Sequence, residues 1–400
     1  MPISGIVELY HFPEDLQQII AAAAGATGDA RALAEAVREL SDLFVGKTAW
    51  RSEYGTSPER RRAYLSYYLP VNLPKVRVPL AEWLRDDPLR LAGERLRCLD
   101  LGSGPGSALL GLVDFLRGLP ASARPKSVEA VAIDQSHENL KDAESLLRRL
   151  GARVPEMPVA FQPLRCDLVT ERSELFPLAA AAGRFDLVIA ANVLCEIIRE
   201  SAKGFERAAA LVEDAAEQLL SPRGAIIVIE PGLRDTARDL HRLRDHWLSR
   251  GRLHVHAPCL HESPCPALDT ERDWCIADMP WQPPQIVAEI DRRTGLRKGS
   301  LKFAYLVLAP APPPTPTATT WRVVSDVLDL KGERRVYLCA DGRWIVLGQL
   351  KRERGPLALT FETLQRGDLV EIEGMERKGS LFRLRPEGTI RRLATASPPE

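Results

Sequence analysis

From about residue 95 to residue 309 the chain alternates strand-like apolar runs with helix-like segments. No other feature of the sequence limits its fold as much. The runs are LRCLDLG, VEAVAID, MPVAFQPL, FDLVIAAN, GAIIVIEPG and KFAYLVLAP. Most are apolar almost without interruption, as strands buried on both faces are. Strands alternating with helices predict an α/β fold with a doubly wound, largely parallel sheet and helices on both faces.

The flanking regions read differently. Residues 1–92 are expected to be helical: DARALAEAVRELSDLF carries apolar residues at helical spacing with charges between them. PAPPPTPTAT, residues 310–319, reads as a stiff linker. Beyond it, residues 320–393 alternate by twos in WRVVSDVLDL, RRVYLCADGRWIVLGQL, LALTFETL and GDLVEIEGMERKGSLFRLRP. They predict a small β-rich module of about five strands, of the oligonucleotide-binding barrel type. Four hundred residues exceed one ordinary core, and zero formal net charge leaves no global field toward nucleic acid or lipid. No apolar run is long enough to span a bilayer. Acidic PED before IIAAAAGA is unlike a secretion signal, so a cytoplasmic protein is expected.

The first strand ends in Leu99-Asp100-Leu101-Gly102-Ser103-Gly104-Pro105-Gly106 and opens a helix. Glycines at 102, 104 and 106 let a ligand approach the backbone. The G-x-G-x-G spacing differs from the dinucleotide fingerprint, and no lysine follows as in a P-loop. Asp100 suits a ligand with a cationic amino group. Asp134, ending VEAVAID, is placed for a ribose diol, and Asp167 follows the third strand, where an adenine amino group would be read. Together with Ser103 these residues resemble the class I S-adenosylmethionine-dependent methyltransferases. The resemblance implies a seven-stranded Rossmann-like sheet and S-adenosylmethionine as cofactor. Asn192 stands where base-amine methyltransferases carry an Asn/Asp-Pro-Pro-aromatic motif, but Val193, Leu194 and Cys195 replace the rest. Cys195 reads either as a nucleophile or as a structural thiol.

Three of the seven cysteines crowd into HAPCLHESPCPALDTERDWC at Cys259, Cys265 and Cys275, within a segment at about 254–285. In a cytosolic chain such clusters more often bind metal than form disulfides. Thiolates select zinc or iron–sulfur clusters. The C-x5-C-x9-C spacing lacks the close pairs usual for zinc and suits a larger cluster. The fourth ligand is open among His254, His256, His261 and Cys339. Cys98 and Cys166 read as core.

AYLSYYLP at 63–70, LDLGSGPG, IEPG at 229–232 with an arginine-dotted helix after it, APCLHESPCP…DWC and KFAYLVL resemble a methyltransferase-like family of mitochondrial and bacterial small-ribosomal-subunit proteins, known for small-subunit assembly in mitochondria. The resemblance covers roughly residues 50–345. It implies a [4Fe–4S] cluster on Cys259, Cys265, Cys275 and Cys339, with zinc the alternative metal. The x9 gap is variable in the family, and the module from 350 onward has no counterpart.

The partner implied is small-subunit ribosomal RNA or a pre-ribosomal small subunit. One reading is an rRNA methyltransferase, since methyl transfer needs little side-chain chemistry once donor and acceptor are aligned. The other is a non-catalytic assembly factor that binds rRNA. Basic surface is expected at ERRR (59–62), RDTARDLHRLRDHW (234–247) and RRTGLRKGSLK (292–302), and these stretches argue against a small-molecule methyltransferase. The tyrosines of SPERRRAYLSYYLPVNLPKV read either as packing onto the next domain or as an RNA-stacking surface.

Overall fold

The computed structural model describes residues 10–25, 29–46, 57–181, 183–315, 319–353 and 356–394. Parts of the helical expectation (1–9, 26–28 and 47–56) and of the linker (316–318) lie outside the described residues.

The N-terminal region starts with a two-residue strand, β1 (Tyr10–His11). Five helices follow: α1 (Glu14–Ala24), α2 (Ala30–Phe44), α3 (Pro58–Ala63), α4 (Leu69–Asn72) and α5 (Arg77–Leu84). Tyr64–Tyr68 form a π-helical turn between α3 and α4, and Leu73–Val76 form a 3-10 turn between α4 and α5. Pro70 and Pro74 each remove a ladder donor, which divides an otherwise continuous helix into short turns. Tyr67 and Tyr68 are buried, so these rings pack within the protein and are not an open stacking surface.

The central domain runs β2 (Leu96–Leu101), α6 (Ser107–Arg117), β3 (Val128–Asp134), α7 (His137–Gly151), β4 (Val159–Arg165), α8 (Arg172–Ala181), β5 (Phe185–Ala191), α9 (Leu194–Glu200), α10 (Gly204–Gln218), β6 (Leu220–Pro231), α11 (Arg234–Ser249), β7 (His254–Ala257), β8 (Ala277–Gln282), α12 (Gln285–Thr294) and β9 (Ser300–Ala309). The strand order is β1-β8-β9-β6-β5-β2-β3-β4, and β7 also pairs with β9. Strands β2 to β6 are parallel, and β9 runs antiparallel to both β6 and β8. This is the class I methyltransferase architecture. Nine strands replace the expected seven because two short edge pieces join: β1 lies on β8, and β7 lies on β9.

The C-terminal module contains β10 (Thr320–Val323), β11 (Leu328–Leu330), β12 (Glu333–Ala340), β13 (Arg343–Leu350), α13 (Pro356–Glu362), β14 (Leu369–Lys378) and β15 (Leu381–Ala394). Strand β10 pairs with both β14 and β12, and β13 pairs in parallel with β15. The ring β10-β14-β15-β13-β12 thereby closes as a five-stranded barrel, with β11 added outside β12. Its helix lies between the third and fourth ring strands, and a five-stranded closed ring is the frame of oligonucleotide-binding barrels. LALTFETL, expected as a strand, forms α13 and the turn after it. Leu357, Phe361 and Leu364 recur at spacings of four and three and pack into the barrel core, which is a helical period.

One buried arginine ties the barrel to the rest. Arg322 on β10 donates from Nη1 and Nη2 to the Glu82 carboxylate on α5, at 2.7 and 2.9 Å. Its Nε donates to the Pro258 carbonyl at 3.1 Å, and Nη1 also reaches the Gly367 carbonyl at 2.8 Å. Removing one partner of a buried ion pair leaves an uncompensated charge and costs about 3–5 kcal/mol. Glu82→Ala should therefore lower the denaturation midpoint sharply, whereas Glu82→Ala combined with Arg322→Leu should recover part of the loss. Chemical denaturation followed by tryptophan fluorescence checks this.

Candidate functional site

A cavity of about 1410 Å³ opens at the carboxyl ends of β2, β3 and β5. This is where open α/β sheets bind ligands. Asp100, Gly102, Ser103, Gly104, Asp134, Asp167 and Asn192 all line it. Gly106 does not. It starts α6 in the left-handed region at φ 84°, and a Cβ there would stand 3.1 Å from Ala143. The lack of a side chain there lets α6 start close against α7.

The other glycines have separate reasons. Gly102 has φ 69°, and a Cβ on it would lie 2.5 Å from Val193 Cγ2. Gly104 has φ 52°, and the nearest atom to such a Cβ is the Tyr64 hydroxyl at 4.0 Å. Gly102 is thus fixed by contact with the loop after β5, while Gly104 leaves room above the backbone. Asn192 in that loop adopts φ 59°, a conformation asparagine tolerates better than most residues.

Asp100 is 1% exposed, and among the described residues neither carboxylate oxygen has a hydrogen-bond partner. Burial, then the neighbouring Asp134, push its pKa up to about 8. A buried carboxylate with no donor is costly unless a ligand supplies one. A cationic amino group would fit this position. Asp134 accepts from Gly104 N at 2.8 Å through Oδ2, and from Ser136 N at 2.8 Å through Oδ1. Its carboxylate is thus already held in place by backbone donors. Asp167 Oδ1 accepts from Val169 N and Thr170 N at 2.7 and 3.1 Å, which shapes the turn before α8.

The N-terminal segment supplies a wall that sequence reasoning missed. Tyr64, Tyr68, Asn72 and Lys75 line the cavity opposite the glycine loop. Lys75 Nζ donates to Asn72 Oδ1 at 2.8 Å. Burial, then Lys298, lower its pKa to about 7. Signals were present in the close prolines of YLPVNLPKV, which preclude a plain helix. Arg199, Arg297, Lys298 and Lys302 also line the cavity, so part of the basic 292–302 stretch lies at the site. Cys195 is buried, and burial followed by Glu230 and Glu196 raises its thiol well above the ordinary range. That environment suits a structural thiol rather than a nucleophile.

The cysteine segment is held by α11. Arg238, His241, Arg244 and Asp245 recur at helical spacing and face it. Arg238 Nη1 donates to the carbonyls of Ala267, Thr270 and Asp273 at 3.0, 2.6 and 2.7 Å. Arg244 donates to the carbonyls of Ser263, at 2.9 Å, and His261. Asp245 accepts from Cys265 N at 2.9 Å, and His241 Nε2 accepts from Cys275 N at 3.0 Å. Arg238 and Arg244 are buried. The expectation of basic RNA-facing surface along 234–247 therefore fails for these two arginines, because the loop's carbonyls take them.

All seven cysteines are free thiols. Burial and then Cys259 raise the thiol pKa of Cys275 to about 12. Cys265 is raised by burial, Cys259 and Cys275, and Cys339 by burial and then Cys259, Cys275 and Cys265. The four thiols therefore stand within electrostatic reach of one another. Among the described residues, no three His, Cys, Asp or Glu side chains are gathered so that they could hold a metal ion. His254 binds Glu262 at 3.0 Å and His256 binds the Ala311 carbonyl at 2.7 Å, so both are engaged elsewhere. His261 Nε2 lies 3.6 Å from Cys339 Sγ.

A family model described as mitochondrial small ribosomal subunit Rsm22 matches residues 62–354. The chain belongs to this family. No curated protein matches it. Among solved structures, one described as a class I S-adenosylmethionine-dependent methyltransferase of Listeria monocytogenes is 12% identical with a TM-score of 0.34, covering 76% of this chain and 90% of that one. An S-adenosylmethionine-dependent methyltransferase of Agrobacterium tumefaciens is 16% identical with a TM-score of 0.27, covering 43% and 50%. Likeness at this level adds nothing to what the residues of the site say themselves. The match to the Rsm22 family ends at residue 354, so α13, β14 and β15 lie wholly beyond it.

The raised pKa of Asp100 has a consequence for stability. Between the ordinary carboxylate value of 3.8 and about 8, the folded chain keeps a proton that the unfolded chain has lost. Stability from this group therefore falls as pH rises through that window. Asp100→Asn should melt higher than the parent at pH 8, with the gap closing toward pH 4. Calorimetric melting of ligand-free protein across pH checks it.

Proposed function

We propose that this Rsm22-family chain binds S-adenosylmethionine at the glycine loop and acts on the small ribosomal subunit as an rRNA methyltransferase. The unpartnered Asp100 carboxylate in the cavity supports the reading most directly. Asp100 would take the ligand's amino group. Gly102, Ser103 and Gly104 would accommodate it closely, and Asp134 would accept from its ribose. Asp167 would border its base, and Asn192 would lie on the acceptor side. When bound, S-adenosylmethionine supplies a methyl group activated by its sulfonium charge. The cavity exceeds the roughly 300–1,000 Å³ usual for one small ligand, which leaves room for an acceptor. Arg199, Arg297 and Lys302 would meet the phosphates of an approaching RNA strand.

One observation favours a second reading, a non-catalytic rRNA-binding assembly factor. Val193 follows Asn192 and wedges against Gly102, where base-amine methyltransferases carry proline. The groups that would polarise an exocyclic amine are therefore not found in that loop.

Cys259, Cys265, Cys275 and Cys339 are proposed to hold a [4Fe–4S] cluster. A single ion draws its ligands into mutual contact, whereas a cube of irons and sulfides keeps its thiolates further apart. Zinc is the alternative metal. The cluster would contribute to folded stability, since the unfolded chain has no preformed site.

Two measurements test these assignments. Calorimetry should show S-adenosylmethionine binding to the parent and none to Gly104→Arg, whose side chain fills the space above the loop. Equal binding would place the ligand elsewhere. Anaerobically purified protein should contain about four irons per chain, as four-cysteine ligation of this cluster requires. Cys339→Ser should lose iron and Cys98→Ser should keep it. One stoichiometric zinc without iron would refute the cluster, and full iron in Cys339→Ser would transfer the fourth position to His261.

A further inference from the structure

The outer face of the barrel carries a feature that neither the cavity nor the cysteines use. Along β12 the side chains alternate: Val336, Leu338 and Ala340 are buried in the barrel, while Arg335, Tyr337 and Cys339 face out. Opposite them on β13, Trp344 pairs with Cys339, and Val346 pairs with Tyr337. The Tyr337 and Trp344 rings stand edge to face, with centroids 6.5 Å apart. Tyr337 is 36% exposed, and Leu328 on the neighbouring β11 is 41% exposed. Arg343 at the hairpin tip is also largely exposed.

Aromatic rings on a soluble barrel's surface leave apolar area in water. The exposed Tyr337 ring beside the half-buried Trp344 suits flat partners that stack, and nucleobases are such partners. Charge narrows the choice. Residues 320–393 hold 15 Lys and Arg against 11 Asp and Glu, an excess of four positive charges in a chain whose total is zero. The module is thus the positively charged part of a neutral protein. On this face Arg335, ion-paired with Glu333, and the exposed Arg343 border the rings, and a cationic module with an exposed ring favours a polyanion carrying rings over an apolar protein surface. The barrel is a closed five-stranded ring, and the outer face of its second and third strands is where such barrels take oligonucleotides.

We propose that the β12–β13 face, centred on Tyr337 and flanked by Arg335, Arg343, Trp344, Val346 and Leu328, binds single-stranded RNA. This deepens the small-subunit reading by naming a contact surface, and it rests on that reading for the source of the RNA. Bases stack on Tyr337 and Trp344, and the backbone runs past the arginines. The surface adjoins the cysteine segment, because a Cβ on Gly342 would meet Ser263 at 2.7 Å. Bound RNA would therefore sit beside the cysteines and hold the barrel against the central domain.

The test uses full-length protein and fluorescence anisotropy with a labelled single-stranded oligoribonucleotide of about 12 nucleotides, within the site sizes of such barrels. Tyr337→Ala should weaken binding about tenfold, in the range measured for losing one stacked base. Tyr337→Phe should restore it, since the ring and not the hydroxyl is required. Arg343→Glu should weaken binding and flatten its salt dependence. Circular dichroism and S-adenosylmethionine binding should be unchanged in all three variants, because these side chains lie outside the cavity. RNA binding by the parent that is indifferent to Tyr337→Ala would overturn the site while leaving the small-subunit reading intact. If the parent fails to bind RNA but Tyr337→Ala still reduces co-sedimentation with small subunits, the face takes a protein and the proposal is wrong. Absence of both RNA binding and co-sedimentation would overturn the small-subunit reading itself.

Discussion

The hydrogen bonds from α11 to the cysteine segment are the interaction on which much of the rest depends. Between β7 and β8 the chain has only one short 3-10 turn, Pro266–Leu268, so its carbonyls find few partners within the segment itself. Arg238 and Arg244 reach in from the helix and take five of those carbonyls, while Asp245 and His241 take two of its amides. Buried hydrogen bonds to charged groups are worth about 1.5–3 kcal/mol each. His241 can accept only as the neutral ring, and burial followed by Arg244 and Arg238 lowers its pKa to about 3, which keeps it neutral. Without this polar helix face, three of the four cysteines would have no fixed position.

The same segment is where the barrel meets the central domain. Arg322 bonds Pro258, one residue before Cys259, and also Glu82 of α5. Cys339 reaches the cysteine group from β12. The helical region, the central sheet and the barrel thus converge on one stretch of irregular chain. The cavity lies on another part of the sheet and depends on a second set of close approaches, Gly102 against Val193 and the Tyr64 turn above Gly104. Two sites with separate supports share one domain.

The central sheet was legible because strands buried on both faces leave long apolar runs: β2, β3, β5, β6 and the antiparallel β9 are largely buried, and the more exposed edge strand β4 still carried an apolar segment. β1, β7 and β8 were not, since two to six residues bearing histidine, proline or glutamine carry no such signal. LALTFETL misled because leucine, alanine and phenylalanine fit either period over eight residues, and only packing chose the helix. The glycine loop was readable, yet its three glycines have three different causes, which spacing alone does not separate. Gly106, outside the cavity lining, shows this most clearly. Lys75 and Tyr64 could not be placed at the cavity because they lie before the sheet in sequence, and only tertiary folding brings them there. The arginines of α11 were read as surface because burial of a guanidinium depends on carbonyls in a distant segment.

The central claim is that this chain works on the small ribosomal subunit, through a donor cavity and a basic barrel. Crosslinking the protein to RNA in cells, with sequencing of the attached fragments, tests that claim most directly. The account predicts fragments concentrated in small-subunit ribosomal RNA, clustered at one or a few sites. Fragments spread evenly over large-subunit RNA, messenger RNA and transfer RNA would contradict it.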